Sequence, residues 1–195
     1  MNGFEVVREF ERALCAYTGA KYACATTSCT EALLVVCQYL RVGTVSIPRF
    51  TYRGVAMSIL NAGGKVAFDD RTWRGSYTLD PYPIKDSARR FTSGMYSPGY
   101  YECVSFHWDK ILGISQGGAI LHDNGSAQHM FHAMTRDGAH WNAPLHIQTL
   151  VRGFHCYLSP EVAAAGIRRL ATLPRDNPDL PNSDYSDLSL QEVFK

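Results

Sequence analysis

None of the cysteine spacings that hold zinc or run dithiol redox chemistry is present. The six cysteines (Cys15, Cys24, Cys29, Cys37, Cys103 and Cys156) include no C-x-x-C pair. Four of them sit in apolar runs, where a free thiol behaves as a small hydrophobe. A reducing cytoplasm is the simplest home for such a set, and no metal site is expected. An excess of one charge sign is missing too. Nineteen Lys and Arg against eighteen Asp and Glu leave a net charge of +1, which argues against a nucleic-acid coat or a membrane-surface protein. No apolar run is long enough to cross a bilayer. The start, Met1-Asn2-Gly3-Phe4-Glu5, lacks a basic region followed by an apolar stretch, which argues against a signal peptide. There is no internal repeat and no low-complexity tract. What is plentiful is core-forming material: 46% of the 195 residues are hydrophobic and 12% aromatic. That is enough for one domain, or one domain with a tail, and it excludes disorder as the default.

The periodicity gives an alternating rhythm. Phe4–Tyr17 reads as an amphipathic helix, with Phe4, Val7, Phe10 and Leu14 on one face and Gly19 to stop it. Tyr22–Ala25 reads as a strand, Glu31–Leu40 as a buried helix, Thr44–Ile47 as a strand closed by Pro48. Arg53–Leu60 is helical up to Gly63-Gly64, and Lys65–Phe68 is another strand. This is the signature of an α/β domain with a largely parallel sheet. Short strands follow at Tyr77–Leu79, Ile84-Lys85, Tyr101–Phe106 and Gly118–His122. Helices are expected at Ala127–Thr135 and Pro160–Leu170, the latter opened by Ser159 and Pro160. From residue 173 the composition turns to Pro, Asp and Asn, which reads as an extended or mobile tail after a domain spanning residues 1–172. His129 and His132 share a helix face with no carboxylate at ligand spacing, so they read as a surface pair. Trp73, Trp108 and Trp141 read as core or interface residues, with Trp108 adjacent to the third segment below.

Three segments carry candidate chemistry. Thr27-Ser28-Cys29-Thr30-Glu31 joins a strand end to a helix start, where free N–H groups and hydroxyls bind phosphate well; alone, Ser28 reads as readily as a helix cap. Asp86, in Pro83-Ile84-Lys85-Asp86-Ser87, is an acid at the carboxyl end of a short strand, the side on which α/β sheets bind ligands; alone, it is a solvated loop aspartate. Ser105-Phe106-His107-Trp108-Asp109-Lys110 places a hydroxyl five positions before a lysine, with Gly113 and Gly117-Gly118 after it; alone, Lys110 is a surface lysine.

In this order the segments resemble the DegT/DnrJ/EryC1/StrS sugar aminotransferases, which bind pyridoxal phosphate (PLP) on the fold-type-I architecture. The resemblance runs over about Phe4 to Leu170. It is carried by Ser28-Cys29-Thr30 at the phosphate turn, Pro48-Arg49-Phe50-Thr51-Tyr52, Phe68-Asp69-Asp70, Asp86-Ser87-Ala88-Arg89, Ser105 to Lys110 with Gly117-Gly118, Arg136-Asp137-Gly138, and Gly153 to Ser159. It implies an abbreviated fold-type-I large domain with a mostly parallel sheet flanked by helices. It implies that Lys110 holds PLP as a Schiff base, that Asp86 pairs with the pyridine nitrogen, that Ser28, Cys29, Thr30 and Ser105 bind the phosphate, and that Tyr52 stacks on the ring. Arg89 stands where the family has glutamine or histidine beside the ring hydroxyl. His155 stands for an asparagine that reaches a partner's phosphate, so a homodimer with shared sites is implied. Cys29 replaces the family's glycine, only fifteen residues separate Asp70 from Asp86, and the family's C-terminal small domain is expected to be absent.

The expected function is amino transfer to a nucleotide-linked sugar or a similar carbonyl substrate. One alternative is PLP chemistry of another kind, such as decarboxylation of an amino-acid adduct on a modified nucleobase in phage DNA, which would make nucleic acid a partner. The other is a non-catalytic PLP-binding relic, which the joint presence of Lys110, Asp86 and Ser105 argues against. No membrane partner is expected.

Overall fold

The computed structural model describes residues 4–139, 144, 146 and 151–195. Trp141 lies outside the described residues.

Helix α1 (Glu5–Thr18) buries Val7, Phe10 and Leu14 and ends on Gly19, whose φ of 82° suits a residue without Cβ. Strand β1 (Tyr22–Thr26) leads into α2 (Cys29–Leu40), then β2 (Thr44–Pro48), α3 (Arg53–Asn61) and β3 (Lys65–Asp69). Two short strands, β4 (Tyr77–Thr78) and β5 (Ile84–Asp86), form a hairpin-like pair. Strands β6 (Tyr101–Ser105) and β7 (Gly118–His122) and helices α4 (Gly125–Met134) and α5 (Pro160–Thr172) complete the body. The α/β rhythm of the sequence is therefore the fold, with most boundaries within two residues of expectation.

The main sheet has the order β1-β7-β6-β5-β4, and β2 and β3 pair in parallel beside it. The expected mostly parallel sheet is corrected: strand senses are mixed, with β1–β7, β4–β5 and β6–β7 antiparallel, because no helix crosses over between β4 and β5 or between β6 and β7. β5 and β6 pair in parallel, while β7 is antiparallel to both its neighbours, β1 and β6. Strands β1, β5 and β6 thus share one direction and bring their carboxyl ends to one rim.

Alternation along the strands divides the core in two. Cys24, Cys103 and Ile120 face a cluster built with α2, α3 and α4. Ala23, Ala25, Val104, Ala119 and Leu121 face a second cluster with α1 and α5, where Phe10 fills the space left by the missing side chain of Gly166.

Residues 174–187 contain no helix or strand, and two 3-10 turns follow, Leu188–Leu190 and Glu192–Phe194. This segment lies against the body. Asp179 makes a two-pronged ion pair with Arg90, at 2.9 and 2.6 Å, Leu180 N–H donates to Arg89 O at 2.9 Å, and Leu188 and Phe194 join the first core cluster.

Trp108 is 71% exposed, which excludes the core half of its core-or-interface expectation. One single-residue expectation changes. His129 is exposed, but His132 turns inward, with Nε2 3.2 Å from both carboxylate oxygens of the buried Glu11. Glu11 comes from α1 and Cys24 from β1, and with His132 they bring potential ligand atoms within 4.8 Å of one another. Spacing along one helix could not show a carboxylate 121 positions away.

Candidate functional site

The rim where β1, β5 and β6 end is hollow. A pocket of about 300 Å³ opens there, at the carboxyl ends of the co-directional strands, where α/β sheets characteristically bind ligands. Ser28, Cys29, Thr30, Tyr52, Asp86, Arg89, Ser105 and Lys110 all line it. Of the nine residues given a cofactor role in the sequence, His155 alone is elsewhere.

One wall is the amino end of α2. The first N–H groups of a helix have no acceptor within it and carry a partial positive charge. Ser28 is the N-cap, its Oγ accepting from Glu31 N–H at 3.1 Å. The hydroxyl proton remains to donate, so capping and ligand binding are compatible in this residue. The helix begins two residues earlier than its apolar pattern because this cap starts it at Cys29. The glycine pair has a structural cause. Gly117 has a φ of 138°, and a Cβ on Gly118 would overlap the backbone of Ser28 and Cys29. The helix end and the start of β7 can meet only at glycine.

Asp86 forms the floor. It is 4% exposed. Its Oδ1 accepts from Ala88 N–H at 2.9 Å and its Oδ2 from the Tyr77 hydroxyl at 2.8 Å, with Cys29 Sγ 3.9 Å away. Thr51 Oγ1 lies 2.7 Å from the Tyr77 oxygen. Tyr77 has one proton and gives it to the carboxylate, so Thr51 donates to Tyr77. Burial pushes the Asp86 carboxyl above its ordinary range, although Ala88, Tyr77 and the charge of Lys110 pull the other way. The Tyr77 hydroxyl and Cys29 thiol are pushed well up, first by burial and next by Asp86. The floor is thus a buried acid with neutral hydrogen-bond donors, suited to face a cationic N–H.

Lys110 is carried on the loop between β6 and β7. Trp108 N–H donates to Ser115 O at 3.0 Å and Lys110 N–H to His107 O at 2.8 Å. Gly113, at φ 54°, leaves room for the carbonyls of Trp108 and Lys110. Nζ lies 3.5 Å from Asp109 Oδ2, and Asp109 Oδ1 lies 2.6 Å from His107 Nδ1. Ser105, the last residue of β6, is buried at the same rim.

Tyr52 is the N-cap of α3 and 52% exposed. Its ring lies over Gly54, where a Cβ would collide with it. Arg89 is 8% exposed and is held by hydroxyls of the C-terminal segment: it donates to Ser183 Oγ, and through Nε to the Tyr185 oxygen at 3.2 Å. Trp73 lines the same wall and packs on Tyr77, with ring centroids 4.7 Å apart. His155 stands away from the pocket, its side chain 70% exposed and Nδ1 2.7 Å from Asp137 Oδ2.

Sequence reasoning missed Thr51, Trp73, Tyr77, His107, Asp109, Ser183 and Tyr185 as lining or supporting groups. Thr51, His107 and Asp109 sit inside segments already singled out. Tyr77 is signalled only by register, since it pairs with Asp86 across β4 and β5 and so shares its face. Ser183 and Tyr185 lie in a stretch whose composition reads as solvated.

The DegT/DnrJ/EryC1/StrS aminotransferase family model matches residues 1–97. UDP-4-amino-4,6-dideoxy-N-acetyl-beta-L-altrosamine transaminase of Campylobacter jejuni is 40% identical over 72 residues, which are 36% of this chain and 19% of that protein. Among solved structures, Bacillus subtilis NtdA with bound PMP superposes with a TM-score of 0.72 at 19% identity, over 86% of this chain and 48% of that one. Sugar aminotransferase CalS13 from Micromonospora echinospora gives 0.74 at 13%, over 86% and 60%. An aminotransferase from Psychrobacter cryohalolentis gives 0.74 at 19%, over 86% and 56%. The chain therefore spans about half the length of the structures whose fold it shares. Over residues 1–97 the chain is similar in sequence to the DegT/DnrJ/EryC1/StrS aminotransferase family, and over most of its length it shares the fold-type-I architecture of the solved aminotransferases.

Proposed function

We propose that the pocket binds PLP and that the chain acts as an aminotransferase on a nucleotide-linked sugar or a similar carbonyl substrate. The observation that carries this reading is the meeting, in one pocket, of a helix amino end, a buried carboxyl group and a lysine. The donor set fits PLP. The α2 end with Ser28 and Thr30, together with Ser105, suits a phosphate. Asp86 has hydrogen-bond donors on both oxygens and, among the described residues, no cation in hydrogen-bond contact, so a protonated ring nitrogen would complete its shell. Tyr52 offers a flat face. The nucleotide-linked sugar is supported by the name of the Campylobacter relative.

When bound, PLP supplies an electron sink for breaking bonds at a carbon next to an amine. Lys110 would hold PLP covalently, and its Nζ, when released, would move a proton at the substrate carbon. Asp86 would keep a proton on the ring nitrogen. Tyr77 and Thr51 fix the carboxyl group's orientation, and Asp109, backed by His107, lies within reach of Nζ.

The same reading takes residues 1–172 as the PLP-binding domain and 173–195 as an extended segment. It also takes a homodimer as the working form. The exposed Phe50, Tyr52 and Trp108 are large apolar groups that a second copy would cover, and the exposed His155 would then reach the partner's site. Six free thiols suit a reducing cytoplasm. No helix among the described residues is long and apolar enough to cross a membrane.

The test is the absorption spectrum of the protein with PLP, before and after borohydride, beside Lys110→Ala. A visible band in the wild type, fixed by borohydride as a covalent adduct on Lys110 and lost in the variant, supports the reading. Ketoacid formation from glutamate then separates amino transfer from other PLP chemistry. The absence of both band and adduct would overturn it.

A further inference from the structure

Among the described residues, Arg89 is the one guanidinium that lines the pocket, and its surroundings are unusual for a buried cation. Buried arginines are normally paired with acids, because removing the charge from water is costly. Arg89 is 8% exposed, and no carboxylate among the described residues lies within ion-pair distance of it. Its neighbour Arg90 takes Asp179, and the nearby acid Asp86 is engaged by Tyr77, Ala88 and Cys29. The partners of Arg89 are neutral: the hydroxyls of Ser183 and Tyr185 and the Tyr185 ring, 5.8 Å from the guanidinium carbon. These contacts orient a fork of N–H donors without neutralising it. They also depend on the C-terminal segment, which the Arg90–Asp179 pair and the buried Leu188 and Phe194 fix in place. Trp73, 6.1 Å from the Tyr185 ring and nearly parallel to it, backs the same wall.

We propose that Arg89 is the anion anchor of this pocket, taking a negatively charged oxygen of the ligand, and that Ser183 and Tyr185 are the positioning residues that aim it. The C-terminal segment is then part of the binding site. Planar, two-pronged capture of a carboxylate is what a guanidinium does best. The oxygen can belong to a substrate carboxylate or to the ring oxygen of bound PLP. The inference rests on the proposed function for the second source and not for the first.

The experiment uses glutarate as the carboxylate probe, by calorimetry at fixed ionic strength, on protein with and without PLP. Arg89→Gln is expected to weaken glutarate binding about tenfold or more, and Arg89→Lys by less, because a charged hydrogen bond is lost in the first and only its geometry in the second. Ser183→Ala combined with Tyr185→Phe is expected to weaken it about three- to tenfold in the wild-type background. In the Arg89→Gln background the same pair should have no further effect, whereas a merely structural role would give equal losses in both. If the ring oxygen is the source, glutarate affinity stays constant. Instead, the pH at which the bound cofactor's absorbance changes moves up in Arg89→Gln. Either result supports an anion anchor. If neither moves while PLP is still held on Lys110, the anchor is overturned and the proposed function stands. If the wild type takes up no PLP, the proposed function fails, and glutarate binding to the cofactor-free protein decides Arg89 by itself.

Discussion

Tyr77→Phe isolates the floor of the pocket. The substitution keeps the ring and its packing on Trp73, so no cavity opens, and only an oxygen is lost. That oxygen donates to the buried Asp86 at 2.8 Å and faces Thr51 Oγ1 at 2.7 Å. A hydrogen bond to a charged group contributes about 1.5–3 kcal/mol, and leaving the buried Thr51 hydroxyl unpaired costs about 1 kcal/mol more. With the carboxyl ionised, the expected loss is therefore about 2.5–4 kcal/mol, read from urea unfolding of the cofactor-free protein. The sign of its pH dependence follows from Asp86. Burial raises this carboxyl's pKa in the folded state. Its stabilising contribution is present below the ordinary carboxylate value and fades as pH rises through the folded value. Losing the Tyr77 donor raises that value further. The variant's deficit should thus be smaller below the folded value, where the carboxyl is protonated in both proteins, and grow by about 1 kcal/mol as pH rises through that value, the difference between a neutral and a charged hydrogen bond. A deficit under about 0.5 kcal/mol, or one that does not change with pH, would refute the relay from Thr51 through Tyr77 to Asp86.

Two further perturbations test other parts of the site and fold. Gly118→Ala forces a Cβ into the backbone of Ser28 and Cys29. It should cost about 1–3 kcal/mol and displace the α2 end, so that PLP affinity falls along with the denaturation midpoint; wild-type values for both would show that the contact is not tight. His122 is fully buried, with Nε2 2.7 Å from Gln128 Oε1, and burial depresses its pKa to about 4. A depressed histidine contributes stability that is present above its unfolded value and lost as pH falls through the folded one. Unfolding free energy should therefore drop by about 2 kcal/mol from this group between pH 7 and 5, and that part of the slope should vanish in His122→Gln.

How far the sequence could be read depends on the range of each interaction. The strand–helix rhythm was legible because it is a local property, and so were the segments at strand ends. Ser28, Asp86 and Lys110 each sit in a short run whose turn, cap or glycines mark it, and the common direction of β1, β5 and β6 then brings those runs to one rim. What was not legible is pairing at a distance. Tyr77 reaches Asp86 through the register of two very short strands, which no pattern of alternation over two residues can specify. Glu11 meets His132 across 121 positions and Arg89 meets Tyr185 across 96. The C-terminal segment shows why composition alone misleads there. Its aspartates and prolines give it the low hydrophobicity of a solvated chain, yet docking here needs few anchors. One aspartate finds a guanidinium, one serine and one tyrosine find another, and Leu188 and Phe194 enter the core. Anchors that sparse generate neither a helical nor a strand period, so they leave no signal in a window of ten residues. Low hydrophobicity and a fixed position against the body are compatible wherever the body supplies the missing partners, as Arg89 and Arg90 do here.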